Sequence, residues 1–288
     1  MIPGAFDYHR PTSLDEAVAL LNEHGDNAKV LAGGQSLIPA MRFRLAIPEI
    51  LIDINQVPGL DALAEENGHL KIGSLLRESA LEDSDVVQKR YPMLADAAKV
   101  IADPLVRNLA TVGGNIAHAD PANDHPAVML AFNATVVAQG PDGERIIPID
   151  DFFVDLFETA MTPKEILKEI RIPAPQDGDG GAYFKIERKV GDYAISAVAV
   201  QLRMRGNTIS EARVALTNVS PVPMRATDAE AALNGKEPTA EVLEAAGKAA
   251  AAQSEPSPDL RGTVEYKRDL TRVLTKRAVA KAVERAQA

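Results

Sequence analysis

The chain has 288 residues, 46% of them hydrophobic, enough for two domains or one large one around a real core. Its formal net charge of −10, without a basic cluster, disfavours a nucleic-acid partner, because phosphate backbones would be repelled. It contains no cysteine, which excludes disulfides, all-cysteinyl zinc sites and iron–sulfur clusters, so any redox role rests on a bound organic cofactor.

The opening MIPGAFDYHRPTSL lacks a basic region leading into an apolar segment, and no apolar run approaches the roughly 18 residues of a membrane span. The expectation is a cytoplasmic chain. Ser13 to His24 then reads as an amphipathic helix, with Thr12 or Ser13 as N-cap and Gly25 as its stop. A strand from Ala28 to Leu31 runs into a glycine pair. A brief helix over Leu37 to Phe43 and a strand over Leu51 to Ile54 complete a small α/β unit closed by Pro58-Gly59. His69 to Gly73 is predicted as a strand, and Leu75 to Ile101 as a helical stretch interrupted by Pro92. A second glycine pair follows, and then a segment in which Pro121 or Asn123 opens the next helix. Ala134 to Gln139, Arg145 to Ile149 and Ile166 to Ile172 are predicted strands around the hairpin signal Pro141-Asp142-Gly143, giving an α+β middle portion that is mainly antiparallel.

Residues 173–181 are turn formers without apolar periodicity and mark a boundary between domains. Beyond them Ala182 to Val190, Ala194 to Arg205 and Asn207 to Asn218 read as three antiparallel strands. Helices are predicted over Thr227 to Leu233, Thr239 to Ala252 and Gly262 to Ala286.

The two glycine pairs carry the chemistry. Ala32-Gly33-Gly34-Gln35-Ser36 and Thr111-Val112-Gly113-Gly114-Asn115 each join side-chain-free backbone to a hydroxyl and an amide, the equipment of a loop whose N–H groups receive a phosphate. Two such loops suggest one long diphosphate ligand. Neither fits GxGxxG between a strand and a helix, and GxxxxGK[ST] is absent, so the Rossmann fold and the P-loop are disfavoured. His118, Asp120, Asp124 and His125 have the donor types of a metal site, but their spacing and Pro121 favour a loop that caps a helix and hydrogen-bonds a ligand, with Asp124 accepting from a ribityl or ribose hydroxyl. No GxSxG elbow and no cysteine supports a nucleophile. Strand alternation sends Lys185 and Lys189 to one face and Arg188 to the other, either as a salt-bridged edge or as cations near a flavin or diphosphate. Tyr193 either packs in the core or aims its ring across the domain interface.

AGGQSLIP at 32–39, TVGGNIAHADPAND at 111–124 and FKIERKVGDYA at 184–194 resemble the FAD-binding medium subunit of molybdenum hydroxylases, a family that includes the flavoprotein chains of bacterial carbon monoxide dehydrogenase and the flavin segment of xanthine dehydrogenase. The likeness extends to FDYHRPTSLDEAVALL near the start, ADP at 102–104, LTNVS at 216–220 and the closing helix from Tyr266 to Ala278. It implies an α+β protein: an FAD-binding domain of the p-cresol methylhydroxylase (PCMH) type over 1–176, with α/β subdomains of about 1–57 and 58–176, then a C-terminal flavoprotein domain over 177–288 with a three-stranded antiparallel sheet and helices.

By the same resemblance, Ala32, Gly33, Gly34, Gln35, Ser36 and Leu37 cradle the FAD diphosphate, and Thr111, Val112, Gly113, Gly114 and Asn115 form the opposing clamp. Asp124 hydrogen-bonds the cofactor, Ile101 and Ala102 line its apolar side, Lys185 sits close to the flavin ring, and Tyr193 covers one isoalloxazine face and gates access to N5. The implied chain binds no metal and holds no catalytic residue of its own. Substrate oxidation falls to a molybdenum cofactor in a large subunit, and electrons pass through two [2Fe–2S] clusters of a small subunit to this FAD and on to an external acceptor, in a dimer of heterotrimers. The lack of cysteine fits that division and separates the chain from the benzoyl-CoA-reductase branch, whose flavin subunit carries an additional cysteine-bound cluster. Gln35 stands where carbon monoxide dehydrogenases usually place histidine, and AGGQS occurs in hydroxylases of nitrogen heterocycles. The alternative is a self-sufficient flavin reductase or oxidase resembling the cell-wall enolpyruvyl reductase.

Overall fold

A computed structural model describes residues 2–288. The first unit is a parallel sheet in the order β1-β3-β2, built from β1 (Asp7–His9), β2 (Ala28–Leu31) and β3 (Ile50–Asp53). α1 (Leu14–His24) packs Ala17, Val18 and Leu21 onto it. Ser13 accepts from the Glu16 N–H and so caps α1, while Gly25 ends it at φ +54°, a left-handed value that glycine adopts without a Cβ penalty. α2 (Leu37–Arg42) follows the first glycine pair directly.

The middle portion is a wholly antiparallel sheet in the order β4-β5-β10-β6-β7. Its strands are β4 (Leu63–Glu66), β5 (His69–Gly73), β6 (Thr135–Gly140), β7 (Gly143–Pro148) and β10 (Ile166–Pro173), and β8 (Phe153–Asp155) and β9 (Glu158–Thr159) form a separate small hairpin. The helices between β5 and β6 are α3 (Glu78–Glu82), α4 (Asp85–Arg90), α5 (Pro92–Val100), α6 (Pro104–Arg107), α7 (Val112–His118) and α8 (Asp124–Phe132). The stretch predicted as one helix broken at Pro92 is therefore three. Ser84 adds a second break by accepting the Val87 N–H, the N-cap role that serine prefers to a helix interior.

The last portion is an antiparallel sheet of β11 (Asp179–Glu187), β12 (Ala194–Arg205), β13 (Thr208–Thr217) and β14 (Met224–Arg225). β14 corrects the three-stranded expectation: Met224 and Arg225 pair with Leu216 and Ala215, a segment too short to show alternation. α9 (Thr227–Leu233), α10 (Ala240–Gln253) and α11 (Val264–Ala286) complete the chain.

The unbroken apolar run of β12 has a physical reason: the sheet is covered on both faces. Ala197 and Ala199 join the cluster that contains Met93, Leu94, Val128 and Met129 of α5 and α8, whereas Val198 and Val200 join Leu274, Ala278 and Val279 of α11. Small residues face the first side, so β11 and β12 lie close over α5 and α8. That places the end of β11 and the start of β12 beside the segment 100–124.

Candidate functional site

The first glycine segment is held from behind. Tyr8 donates to Asp53, Asp53 accepts from the Asn55 N–H at 2.9 Å, and Asn55 Nδ2 donates to the Ala32 carbonyl at 2.9 Å. Arg77 donates to Asn55 Oδ1 at 2.7 Å and also to the Leu109 carbonyl, so one guanidinium ties the first segment to the approach of the second. The segments are in contact. A Cβ on Gly33 would lie 2.3 Å from the Leu109 carbonyl oxygen, and one on Gly114 would lie 3.9 Å from the Ala32 Cβ.

Their backbones are not equivalent, which corrects the expectation of two matching N–H clamps. In the first segment, the N–H groups of Gly33, Gly34, Gln35, Ser36 and Leu37 have no acceptor among the described residues. Gly34 is at φ +72°, which turns this half-buried stretch into the entrance of α2. In the second segment, Val112 donates to Leu76 O at 3.0 Å, Gly113 to Ser74 O at 3.1 Å, Gly114 to Thr111 Oγ1 at 3.1 Å and Asn115 to Thr111 O at 3.0 Å. Thr111 is a helix N-cap and the glycines form the first turn of α7, where they permit backbone contact: a Cβ on Gly113 would collide with Ser74 at 2.5 Å. What this segment still offers is Asn115 Oδ1, buried and without a partner among the described residues; Ser74 Oγ, on the residue that Gly113 packs against, is equally unpartnered.

Asn123 continues the ring by donating to Asn115 O at 3.0 Å. The next residue, Asp124, is buried, accepting from Tyr183 Oη at 2.5 Å and from Lys185 Nζ at 3.1 Å. Lys185 Nζ also donates to Val100 O at 3.0 Å and lies 3.3 Å from Glu187, and its side chain is 2% exposed. Asp124 and Lys185, expected to address the cofactor separately, are thus partners of each other. Burial pushes the Asp124 carboxyl up against the pull of Lys185, and burial, with Asp124 beside it, drives the Tyr183 phenol well above its ordinary range. Ile101 is buried, and Ala102 adopts φ +48°, which an L side chain rarely takes. Arg107 Nη1 fixes that turn by donating to the carbonyls of Ile101 and Ala102 at 2.9 and 3.1 Å. Tyr193 is 45% exposed and close enough to Asp120 and Asp124 for their charges to act on its phenol.

The other candidates diverge. His118 packs its ring on Phe157, Asp120 accepts from the Ala122 N–H, and His125 turns away to Glu78. Among the described residues no three His, Asp or Glu side chains gather as metal ligands do. Lys189 lies beyond the end of β11, so it does not share a strand face with Lys185. Sequence reasoning missed Tyr183, which shares the Lys185 face by simple alternation. It also missed Asn55, Arg77, Glu78 and Asn123, whose roles come from pairing across the chain. Asn218, within LTNVS, donates its N–H to Pro121 O at 2.8 Å and its amide to Ala194 O at 2.5 Å, joining the segment before α8 to the one after Tyr193.

Two family models cover the chain: the FAD binding domain in molybdopterin dehydrogenase over residues 4–175 and the CO dehydrogenase flavoprotein C-terminal domain over 181–282. The chain belongs to this flavoprotein family. It is 48% identical to the carbon monoxide dehydrogenase medium chain of Hydrogenophaga pseudoflava, over 97% of each chain, and 42% identical to that of Afipia carboxidovorans over the whole of both. The solved carbon monoxide dehydrogenase of H. pseudoflava superposes with a TM-score of 0.97 at 50% identity over 99% of both chains. Quinoline 2-oxidoreductase of Pseudomonas putida superposes with 0.94 at 30% identity over 100% of both.

FAD is the cofactor of this flavoprotein family, and the chain is an oxidoreductase component. The residues fit that group. Consecutive N–H groups without acceptors at a helix entrance suit a diphosphate, and the orphaned Asn115 Oδ1 and Ser74 Oγ suit hydroxyls or ring nitrogens. No described helix is long and apolar enough to cross a membrane.

The buried Glu78–His125 pair, joined at 2.8 Å, lies directly behind Asp124. Burial works against a charged imidazole, but the Glu78 carboxylate, together with the charge of Asp124, outweighs it and holds His125 above its ordinary value of 6.5. A raised value in the folded state gives stabilisation that is complete below pH 6.5 and lost as pH rises through the raised value. Glu78→Gln leaves burial opposed only by Asp124, the smaller of the two charges acting on the ring, and so shifts the imidazole toward its neutral form. The fall in urea midpoint between about pH 6 and 9 is expected to be smaller in this variant than in the wild type. An equal fall in both would show that the pair does not titrate there.

Proposed function

We propose that this chain is the FAD-bearing electron-transfer subunit of a molybdenum hydroxylase. In this reading a large subunit oxidises substrate at its molybdenum cofactor, a small subunit carries the electrons through [2Fe–2S] clusters, and they leave through this chain to an external acceptor, in a dimer of heterotrimers in the cytoplasm. The observation that carries the reading is the row of acceptor-free N–H groups from Gly33 to Leu37 at a helix entrance, in a chain without cysteine that aligns end to end with medium chains of such complexes. Bound FAD supplies a two-electron carrier that can also pass electrons singly.

Each residue then has a task. Ala32 to Leu37 hold the diphosphate, with the Ser36 hydroxyl and Gln35 amide as further donors. Gly113 and Gly114 let α7 approach, and Asn115 meets the cofactor through its side chain. Ile101 and Ala102 line the apolar side. Asp124, Lys185 and Glu187 act as one ion cluster that holds the Val100 carbonyl and a proton-bearing Tyr183 in place. Tyr193 covers the flavin ring. Relatives named for carbon monoxide, nicotine, glyceraldehyde and caffeine all align over 96% or more of this chain, so substrate choice is assigned to the molybdenum-bearing partner.

Native mass spectrometry of the chain co-expressed with its genomic neighbours tests this. The expected result is one FAD per copy of this chain, together with a molybdenum-bearing and an iron–sulfur subunit. A flavin-free chain, or one that turns over a substrate alone, would contradict the proposal.

A further inference from the structure

Tyr193 sits at the end of a segment whose fastening none of the cofactor contacts explains. Between β11 and β12 the chain leaves the sheet at Glu187, and Val190 is 91% exposed, yet the Asp192 side chain next to Tyr193 is only 9% exposed. Its carboxylate accepts from Arg261 Nη2 at 2.9 Å, from Arg188 Nε at 3.2 Å and from the Tyr193 N–H at 2.9 Å. Arg188 belongs to the same segment and is 64% exposed, so its bond is screened and weak. Arg261 is different.

It comes from residues 259–262, the turn that leads into α11, and that turn is braced. Asp259 Oδ1 accepts the N–H groups of Arg261 and Gly262 at 2.7 and 3.0 Å, and Asp259 Oδ2 binds the Lys267 ammonium at 2.8 Å, with the Lys267 side chain 3% exposed. Gly262 has no room for a side chain, since a Cβ there would meet the Tyr266 ring at 2.9 Å. Arg261 is therefore presented from a fixed base. On the other side, Gly191, at φ +84°, lies against the backbone of Ala102, where a Cβ would stand 3.1 Å from the carbonyl carbon and oxygen. One side of the segment rests on the 102 turn and the other is tied to the C-terminal helix, with Tyr193 the next residue along.

We propose that the Asp192–Arg261 ion pair is a latch that holds Tyr193 over the flavin, making both residues positioning residues; this rests on the FAD reading above. The same carboxylate grips Arg261 and the Tyr193 N–H, so removing the guanidinium loosens the side chain and the backbone of the covering residue together. Arg188 alone cannot substitute, because it moves with the segment it would have to anchor.

The test uses the assembled, FAD-loaded complex with Arg261→Gln, Asp192→Asn, the double variant and Arg261→Lys. Two readouts do not depend on turnover: quenching of flavin fluorescence by iodide, and the rate of trypsin cleavage after Arg188 and Lys189. Each single neutralising variant is expected to cleave about tenfold faster, the change that about 1.4 kcal/mol of lost closure produces, and to be quenched more strongly by iodide. The double variant should match either single one, because both remove one interaction. Arg261→Lys should recover part of the protection. Variants that hold flavin but show wild-type cleavage and quenching, or additive effects in the double, would overturn the latch alone. A wild-type complex without flavin would overturn the cofactor reading beneath it.

Discussion

Gly33→Ala is expected to yield a folded protein that holds little flavin. The added methyl would lie 2.3 Å from the Leu109 carbonyl oxygen and 2.8 Å from the Ala110 Cα, backbone atoms that cannot swing aside. Relief requires the first segment to move away from the approach to α7, and overpacking of this kind destabilises by about 1–3 kcal/mol. The larger effect falls on FAD. Hydrogen bonds to a charged group are worth about 1.5–3 kcal/mol each, so losing two from the 33–37 row weakens binding by about a hundredfold or more. Flavin released on denaturation and counted per chain of the purified complex measures it. Gly25→Ala is the control, because a Cβ there meets nothing within 4 Å and the strain at φ +54° falls outside the cradle. Full flavin content in Gly33→Ala would show that the two segments need not touch.

Lys185→Met is expected to give the largest loss of stability. With the lysine side chain 2% and the aspartate side chain 7% exposed, the pair is buried, and removing one member strands the Asp124 carboxylate. Breaking a buried pair in this way costs about 3–5 kcal/mol, most of it the desolvation of the partner left behind. Glu187, 3.3 Å from the same ammonium, loses its partner as well. The double variant Lys185→Met/Asp124→Asn is expected to recover the part of the loss that belongs to Asp124, since that carboxylate is gone and the Asn amide oxygen still accepts from Tyr183, leaving only Glu187 without its cation. Urea unfolding of the four proteins gives the coupling. Additive losses would mean that Lys185 and Asp124 act independently, each toward the cofactor.

Local signals carried far through this chain. Ser13, Gly25 and the strands β10 to β13 are read correctly because capping, φ > 0 and apolar runs bounded by turn formers are written in neighbouring residues. The candidate site was legible as a set of neighbours: the 101–102, 124, 185 and 193 positions gather, through Lys185 to Val100 and Asp124, and through Gly191 on Ala102. Its wiring was not. TVGGN looks like AGGQS in composition, but Thr111 caps a helix and Ser74 and Leu76 take its N–H groups, partners that lie far away in sequence. Tyr183, Glu78, Arg77 and Asn218 were silent for the same reason: each acts through a partner far away in sequence, namely Asp124, His125, Asn55 and Pro121 in turn. β14 was missed because two residues carry no period.

In the proposed reading one glycine segment, and not both, grips the diphosphate with its backbone. Residue-resolved amide hydrogen exchange, with and without FAD in the assembled complex, addresses it directly. Exchange at Gly33 to Leu37 is expected to be fast without FAD and strongly slowed with it, while Val112 to Asn115, already bonded within the protein, are slow in both states. Slowing confined to 112–115, or no change at 33–37, would mean that the first segment does not hold the diphosphate through its backbone.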